Sequence, residues 1–362
     1  MYRAEFFDYK MVYKDFCVFD ENTELSLDYL AWDASQIRVY RKAVKTIKSD
    51  LVHITRDGKT IFDGVVSAIS YPAKSVMQID IKPLLCFIHY VDGYDQHLQG
   101  CNDLAWAIYS SIFYRYAWGE ESFMDAQTGH TAADNGWIIP IQGSDCSNSA
   151  DRPYAYSDKF TVVSGLRMIT DGLTMYRIST DASLDMKSRS VNLSVSINTA
   201  AVTIESDLDN IIDRSITLGD SYGSVNKYVV FNADDPEGSA LSFFLHPDGT
   251  VDMADSNRIL PIVEAGTSVS NSDTWRAEAL QQAKDAMIPK AYNNEIDLTV
   301  RDNDAIIRPE EMQIGTLATI YAGGTAYPSL LTGKIRKNHL ITLIFGSVRV
   351  DLTKQLLMER RK

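Results

Sequence analysis

The sequence has no run of about 18 apolar residues, the length a helix needs to span a bilayer, so no transmembrane span is expected. It has no closely spaced cysteine pair. Cys17, Cys86, Cys101 and Cys146 lie far apart, which argues against a structural zinc site. They read instead as isolated or buried thiols of a protein made in a reducing compartment. His-Glu-x-x-His, a phosphate loop and Gly-x-Gly-x-x-Gly are all missing, so the usual sequence footholds for zinc hydrolysis and nucleotide binding are missing too. Positive charge is scarce: 35 Lys and Arg stand against 48 Asp and Glu, a net charge of -13. That disfavours a phosphate-gripping nucleic-acid binder. It suits a surface past which DNA slides, because like charges repel. The opening "MYRAEFFDYKMVYKDF" carries scattered charges and no apolar h-region, so it reads as folded protein and not as a secretory leader.

What is present is ordinary globular material. Hydrophobic residues make up 45% and charged residues 23% of 362 residues. That length fits two or three domains. Residues 1–92 read as β-structure. "LVHITRDGKTIFDGVVSAIS" sets Asp57-Gly58 between two strand-like runs, a hairpin signal because the tight turn needs positive φ. Gly64 inside the second run predicts a bulge or a sharp bend. The period changes in "NDLAWAIYSSIFYRYAW", where Leu104, Ile108, Ile112 and Tyr116 stack on one helical face behind an Asn102 or Asp103 cap. Residues 119–160 are loop-like and polar, long enough to be a functional or variable segment. A short helix follows Ser164, and "VNLSVSI" alternates as a strand. "DTWRAEALQQAKDAM" is a helix stopped by Pro289. From Glu295 the chain is β again.

Two separated stretches share a pattern. "HITRDGKTIFDGVVSAI" followed by "MQIDI", and "ATIYAGGTAYPSLLTGKIRK" followed by "LITLIF", each give strand, glycine turn, strand with an interior glycine (Gly64, Gly333), and one more alternating strand. The pattern predicts two small barrels of one kind at the two ends of the chain. The fold class expected is therefore α+β, mostly β, with two related small β-barrels flanking an α+β middle region. The first barrel is set at 1–92. The middle domain spans 93–204 and includes the variable loop 119–160. The second barrel takes 205–235 and 291–362 with a C-terminal helix, and 236–290 form a hairpin and helix packed on the middle domain.

The chemical motifs are weak. "GDSYG" (219–223) matches a nucleophile elbow, but β-like "SVNKYVVFN" follows it, where an elbow needs a helix. A turn is the better reading for Ser221. Asp302 and Asp304, and Asp234, Asp235 and Glu237, carry oxygen ligands for a hard cation, yet their Asn, Pro and Gly neighbours favour solvated turns. His130 and Asp134 lie four apart in a stretch that is not helical. "RKAVKTIK" is a short basic, solvated face. No catalytic residue, cofactor or metal is expected. The candidate residues are structural: Gly64, Gly333 and Gly346 as bends, and Leu352, Leu356 and Leu357 as one apolar side of a terminal helix.

The order of parts resembles the tail-hub family of tailed bacteriophages, which includes the baseplate hub of contractile tails and the structural N-terminal module of siphophage tail-associated lysins. The stretches carrying the resemblance are "DGKTIFDGVVSAI", "NKYVVFN", "FFLHPDGTVDM" with "NRILPIVE", "DTWRAEALQQAKDAM", "EIDLTVRDNDAIIRPEEMQIGTLATIYAGG", "LTGKIRK" and "ITLIFGSVRVDLTKQLL". What the resemblance implies is a homotrimer. Its two barrels per subunit make a ring of pseudo-sixfold symmetry around a channel that DNA crosses without specific binding. It also implies a non-enzymatic protein of the virion tail tip, made in the host bacterial cytoplasm. The implied partners are a distal tail or tail-tube protein, a tape-measure protein, and a tip fibre, receptor-binding or lysin protein. Two other readings stay open on the sequence: the hub of a phage-derived bacterial injection apparatus, and a cell-surface carbohydrate-binding module using the aromatics of "RPYAYSD".

Overall fold

The protein is described from a computed structural model covering residues 1–27, 34–40, 44–85, 92–94, 103–109, 141–142, 162–217, 225–232, 239–246, 250–255, 263–268, 275–287 and 294–346. The fold is α+β and mostly β. The first sheet is six-stranded. It is built from β1 (Tyr2–Phe7), β2 (Tyr13–Phe19), β4 (Ser35–Tyr40), β5 (Leu51–Arg56), β6 (Lys59–Ala73) and β7 (Val76–Pro83), in the order β2-β1-β5-β6-β7-β4. β4 and β7 alternate and β5 buries Leu51–Ile54 in a row, and the buried set makes one core that includes Tyr2, Phe6, Phe19, Ile37, Ile54, Phe62 and Ile79. One face buries its side chains around a single centre, so the sheet curls as a barrel does. A two-residue strand, β3 (Leu25–Ser26), leaves this sheet.

A middle region follows. Residues 104–109 are helical, and Asp103 caps them: its Oδ1 accepts from the Ala105 amide at 3.1 Å and the Trp106 amide at 3.5 Å. β8 (Asp92–Tyr94) pairs with β10 (Val162–Ser164). β9 (Ile141–Gln142) runs parallel to β12 (Ser190–Ile197), which pairs antiparallel with β11 (Ile178–Asp185). Helix α1 (Gly165–Tyr176) buries Met168, Ile169 and Leu173.

The second large sheet comprises β13 (Ala201–Glu205), β14 (Asp213–Thr217), β19 (Glu295–Arg301), β20 (Leu317–Ala322), β21 (Thr325–Lys337) and β22 (Leu340–Gly346), in the order β13-β20-β21-β22-β19-β14. Its core takes in Ile296, Leu298, Val300, Ala318, Ile320, Leu343 and Phe345. Between β14 and β19 the chain forms a separate layer. There β15 (Lys227–Asn232), β16 (Ala240–Leu245), β17 (Val251–Asp252) and β18 (Val263–Ser268) make a four-stranded sheet under helix α2 (Trp275–Met287). Ala279, Ala283 and Met287 close a core over Val230, Phe243 and Leu245. Gln281 Nε2 reaches Tyr176 Oη at 2.9 Å and ties this layer to α1.

Sheet membership differs from the sequence expectation in two respects. The second barrel starts at β13, ahead of residue 205, and "NKYVVFN" belongs to the four-stranded layer. Alternation tells that a segment is a half-buried strand; it does not tell which sheet pairs with it.

The strands β4–β7 and β19–β22 are one four-strand unit used twice. In each unit the second and third strands join by a two-residue turn with both central residues at positive φ. These are Asp57 (+52°) and Gly58 (+78°) in the first, Gly323 (+58°) and Gly324 (+80°) in the second. That is the type I′ hairpin suited to twisted strands. In each, the fourth strand returns to pair with the first. The third strand outruns the second in both. The β5 side of β6 ends at Val66, which donates to Asp50 O and accepts from Ser49 N, both at 2.8 Å. The β20 side of β21 ends at Leu331, which donates to Thr316 O at 2.9 Å and accepts from Gly315 N at 2.8 Å. Ser49 and Gly315 both have positive φ, +75° and +85°. The next residue is a bulge in each unit, Ser67 and Thr332. Each hydroxyl donates across the ladder, Ser67 Oγ to Asp80 O at 3.0 Å and Thr332 Oγ1 to Ile344 O at 3.3 Å. Aligned on the bulge, the inward triplets correspond: Ser35, Ile37, Val39 with Ile296, Leu298, Val300, and Met77, Ile79, Ile81 with Ile341, Leu343, Phe345.

Candidate functional site

The two barrels meet along a seam made by strand addition. The overhang of β21, beyond the end of β20, accepts β3 as an antiparallel partner, with Ser26 opposite Ile335 and Leu25 opposite Arg336. Leu27 N donates to Lys334 O at 2.7 Å, and Lys334 N donates back to Leu27 O at 3.4 Å. A segment between β2 and β4 of the first barrel therefore completes the edge of the second. An exposed overhang would leave backbone groups open to other strands, so filling it also protects it.

A buried ion cluster sits beside this seam. Arg56, at the end of β5, donates from Nη2 to Asp302 Oδ2 at 2.5 Å and from Nη1 to Asn338 O at 3.2 Å. Arg336 of β21 reaches the same Asp302 oxygen at 3.4 Å and pairs with Glu310. The side chains of Asp302, Arg56 and Arg336 are 7%, 14% and 6% exposed, so one carboxylate holds two guanidiniums away from water. His339 Nδ1 lies 3.6 Å from Asp302, and its Nε2 lies 3.6 Å from Glu21. Tyr2 donates from Oη to Asn338 O at 3.4 Å, and burial raises its pKa. These contacts join residues from both ends of the sequence. Replacing Asp302 leaves two buried cations short of a partner, and this kind of broken pair is strongly destabilising.

A cavity of about 400 Å³ lies where both barrels meet β11 and β12. Asp63, Asp181, Glu310 and Lys334 line it. Asp63 ties the first barrel to the middle region: Oδ2 accepts from Leu184 N at 3.0 Å, and Oδ1 lies 2.6 Å from His53 Nδ1. Lys334 donates from Nζ to Pro309 O at 2.9 Å. Desolvation pushes the Lys334 ammonium down to about 8 and raises the Asp181 carboxyl.

The residues singled out from sequence fall as follows. Gly346 has φ of +107°, and a Cβ there would overlap the backbone of Asn294. At Gly64 a Cβ would run into the Lys82 carbonyl and the Phe62 ring. Gly64 is needed for close approach, and the bulge expected at it lies three residues on, at Ser67. Gly333 follows the bulge residue of its own strand, so the two glycines hold different positions in the repeat. Leu352, Leu356 and Leu357 lie outside the described residues, as do Ser221, His130, Asp134, Asp234, Asp235 and Glu237. Asp304 caps a turn, accepting from Ile306 N at 2.9 Å and Ile307 N at 2.7 Å. Asp302, read as a solvated turn residue, is instead the centre of the ion cluster. Nothing in "VRDNDAI" foretells this, because both guanidiniums come from other strands. Cys17 is a buried free thiol, pushed up to about 12 by desolvation.

No family model matches the chain, and no curated protein matches it. Solved structures do. The tail protein from Neisseria meningitidis MC58 aligns over 96% of this chain and 96% of its own, with TM-score 0.54 and 11% identity. The 43 kDa tail protein of prophage MuSo2 from Shewanella oneidensis aligns over 96% of this chain and 98% of its own, with TM-score 0.51 and 10% identity. The likeness spans both barrels and the material between them. At this identity it is a likeness of fold: the chain is built on the fold of these tail proteins, in keeping with the resemblance carried by the order of its sequence motifs.

Proposed function

We propose that the protein is a structural hub of a phage-type tail or baseplate, without catalytic activity. The observation that carries this reading is the repeated four-strand unit, joined within one chain by strand addition, on a fold shared with tail proteins. Two like units in one subunit let three subunits present six like units, which adapts a sixfold tube to a threefold tip. A head-to-tail contact of this kind closes into a ring when the rotation per subunit closes. The ring holds a channel for DNA, and a net charge of -13 keeps the polyanion from sticking. The proposed neighbours are a tube or distal tail protein on one side, a tip fibre, receptor-binding or lysin protein on the other, and a tape-measure protein in the channel. The protein then belongs to the virion tail tip. Mass photometry of the purified protein, alone and with a tube or distal tail protein, is expected to give a trimer, and negative-stain images are expected to show rings. A monomer under all these conditions refutes the reading.

A further inference from the structure

The repeat exposes an asymmetry. In the second barrel the overhang of β21 is filled by β3. In the first barrel the corresponding overhang of β6 has no such partner among the described residues. Past Val66, β6 pairs on one side only, with β7: Ala68 with Asp80, Ile69 with Ile79, Ser70 with Gln78. On the other side Ile69 and Tyr71 have no ladder partner among the described residues. Counting from the bulge, Ile69 takes the place of Lys334; past Ser70 a second register shift against β7 ends the correspondence. Lys334 exchanges both backbone hydrogen bonds with Leu27, the residue after β3, and Arg336 lies opposite Leu25. The amide and carbonyl of Ile69 therefore point out of the edge.

Natural edges carry lysines, prolines, inward charges, bulges or short strands to limit pairing. Here Pro72 and the register shift beyond Ser70 bound the edge, and within those bounds no charge guards it. The stretch Ala68-Ile69-Ser70-Tyr71 has no charge and an aromatic ring that is 67% exposed. Pro72, which follows, keeps Tyr71 extended.

We propose that the β6 overhang, Ala68–Tyr71, is a docking edge for a strand from a second copy of this chain. A second copy fits because the filled edge in this chain is closed by a segment between β2 and β4 of the other barrel unit. Each chain has two barrel units, and the segment of one unit is already spent on β21. A neighbouring copy supplies the counterpart. The proposal rests on the ring reading above and names its contact.

The test uses the full chain and an Ile69→Pro variant, with Ile69→Ala as control for the side chain, which packs partly on the core. Proline removes the outward amide, and the outer side of an edge strand is where a proline is tolerated. Oligomer mass against concentration for all three proteins, and hydrogen exchange at Ile69 in the wild type, are measured. The expected result is an assembled wild type with the Ile69 amide protected. Ile69→Ala should assemble alike, and Ile69→Pro about ten-fold more weakly, the loss of one interface hydrogen bond. A wild-type oligomer whose Ile69 amide exchanges freely, with Ile69→Pro assembling as Ile69→Ala does, overturns the docking edge and leaves the ring standing. A wild type that stays monomeric at all concentrations overturns both.

Discussion

Asp302→Ala is the most informative single change. Asp302 is the one carboxylate within 4.0 Å of Arg56 among the described residues, and it is shared with Arg336. Its removal strands two guanidiniums that are 14% and 6% exposed. Breaking a buried pair by deleting one partner costs about 3–5 kcal/mol. Arg336 keeps Glu310 and Arg56 keeps the Asn338 carbonyl, which places the cost at the low end, about 3 kcal/mol. A domain of roughly 150–250 residues loses about 2–4 °C per kcal/mol, so a fall of roughly 6–12 °C is expected in the thermal midpoint. The companion triple variant Arg56→Met, Asp302→Leu, Arg336→Met removes all three charges and is expected to recover most of the loss, because burying apolar groups of similar size avoids the desolvation cost. Differential scanning fluorimetry at neutral pH reads both. A shift under about 2 °C for Asp302→Ala means that water reaches the cluster, and the argument from burial fails.

Further changes have separate readouts. Gly346→Val combines a left-handed φ with overlap on Asn294, so a loss of at least about 3 kcal/mol is expected, seen as a lower unfolding midpoint or insoluble expression. Gly64→Ala pushes β6 from β7 at Lys82 and is expected to cost about 1–3 kcal/mol by the same measurement. Lys334 titrates near 8 in the fold against 10.5 unfolded. Between these values the unfolded chain binds more protons, so the Lys334 contribution makes stability rise with pH across that window. Lys334→Met is therefore expected to be more stable than wild type by about 2 kcal/mol at pH 7, after the lost bond to Pro309, with the gap closing from pH 8 to 10.5; a gap independent of pH overturns it. Cys17 is expected to resist iodoacetamide at pH 8 in the native protein, because its thiol is buried and titrates near 12; mass spectrometry of its peptide decides.

Much of this was legible in the chain. Alternation located β6, β7, β21 and β22, and Asp57-Gly58 fixed a hairpin because only residues tolerant of positive φ fit there. The two helices were marked by their ends, Ser164 before α1 and Pro289 after α2. Gly346 could be suspected because a strand that ends on glycine often turns there. The pairing of the two ends of the chain was visible only as pattern: the residues that align across the repeat, such as Val66 with Leu331 and Ser67 with Thr332, are alike in role and seldom in identity.

Sequence by itself determined the β character, the helix positions, the acidic balance and the presence of a repeat. All of these depend on residue type and local period, which each segment carries alone. Tertiary structure decided which sheet "NKYVVFN" joins, that β3 crosses to the other barrel, that Asp302 meets Arg56 and Arg336, and that the β6 overhang has no outer partner among the described residues. Those are pairings between segments distant in the chain. A backbone ladder accepts any extended strand of fitting register, so the choice among strands is made by the packing of whole barrels and leaves no mark in the local pattern.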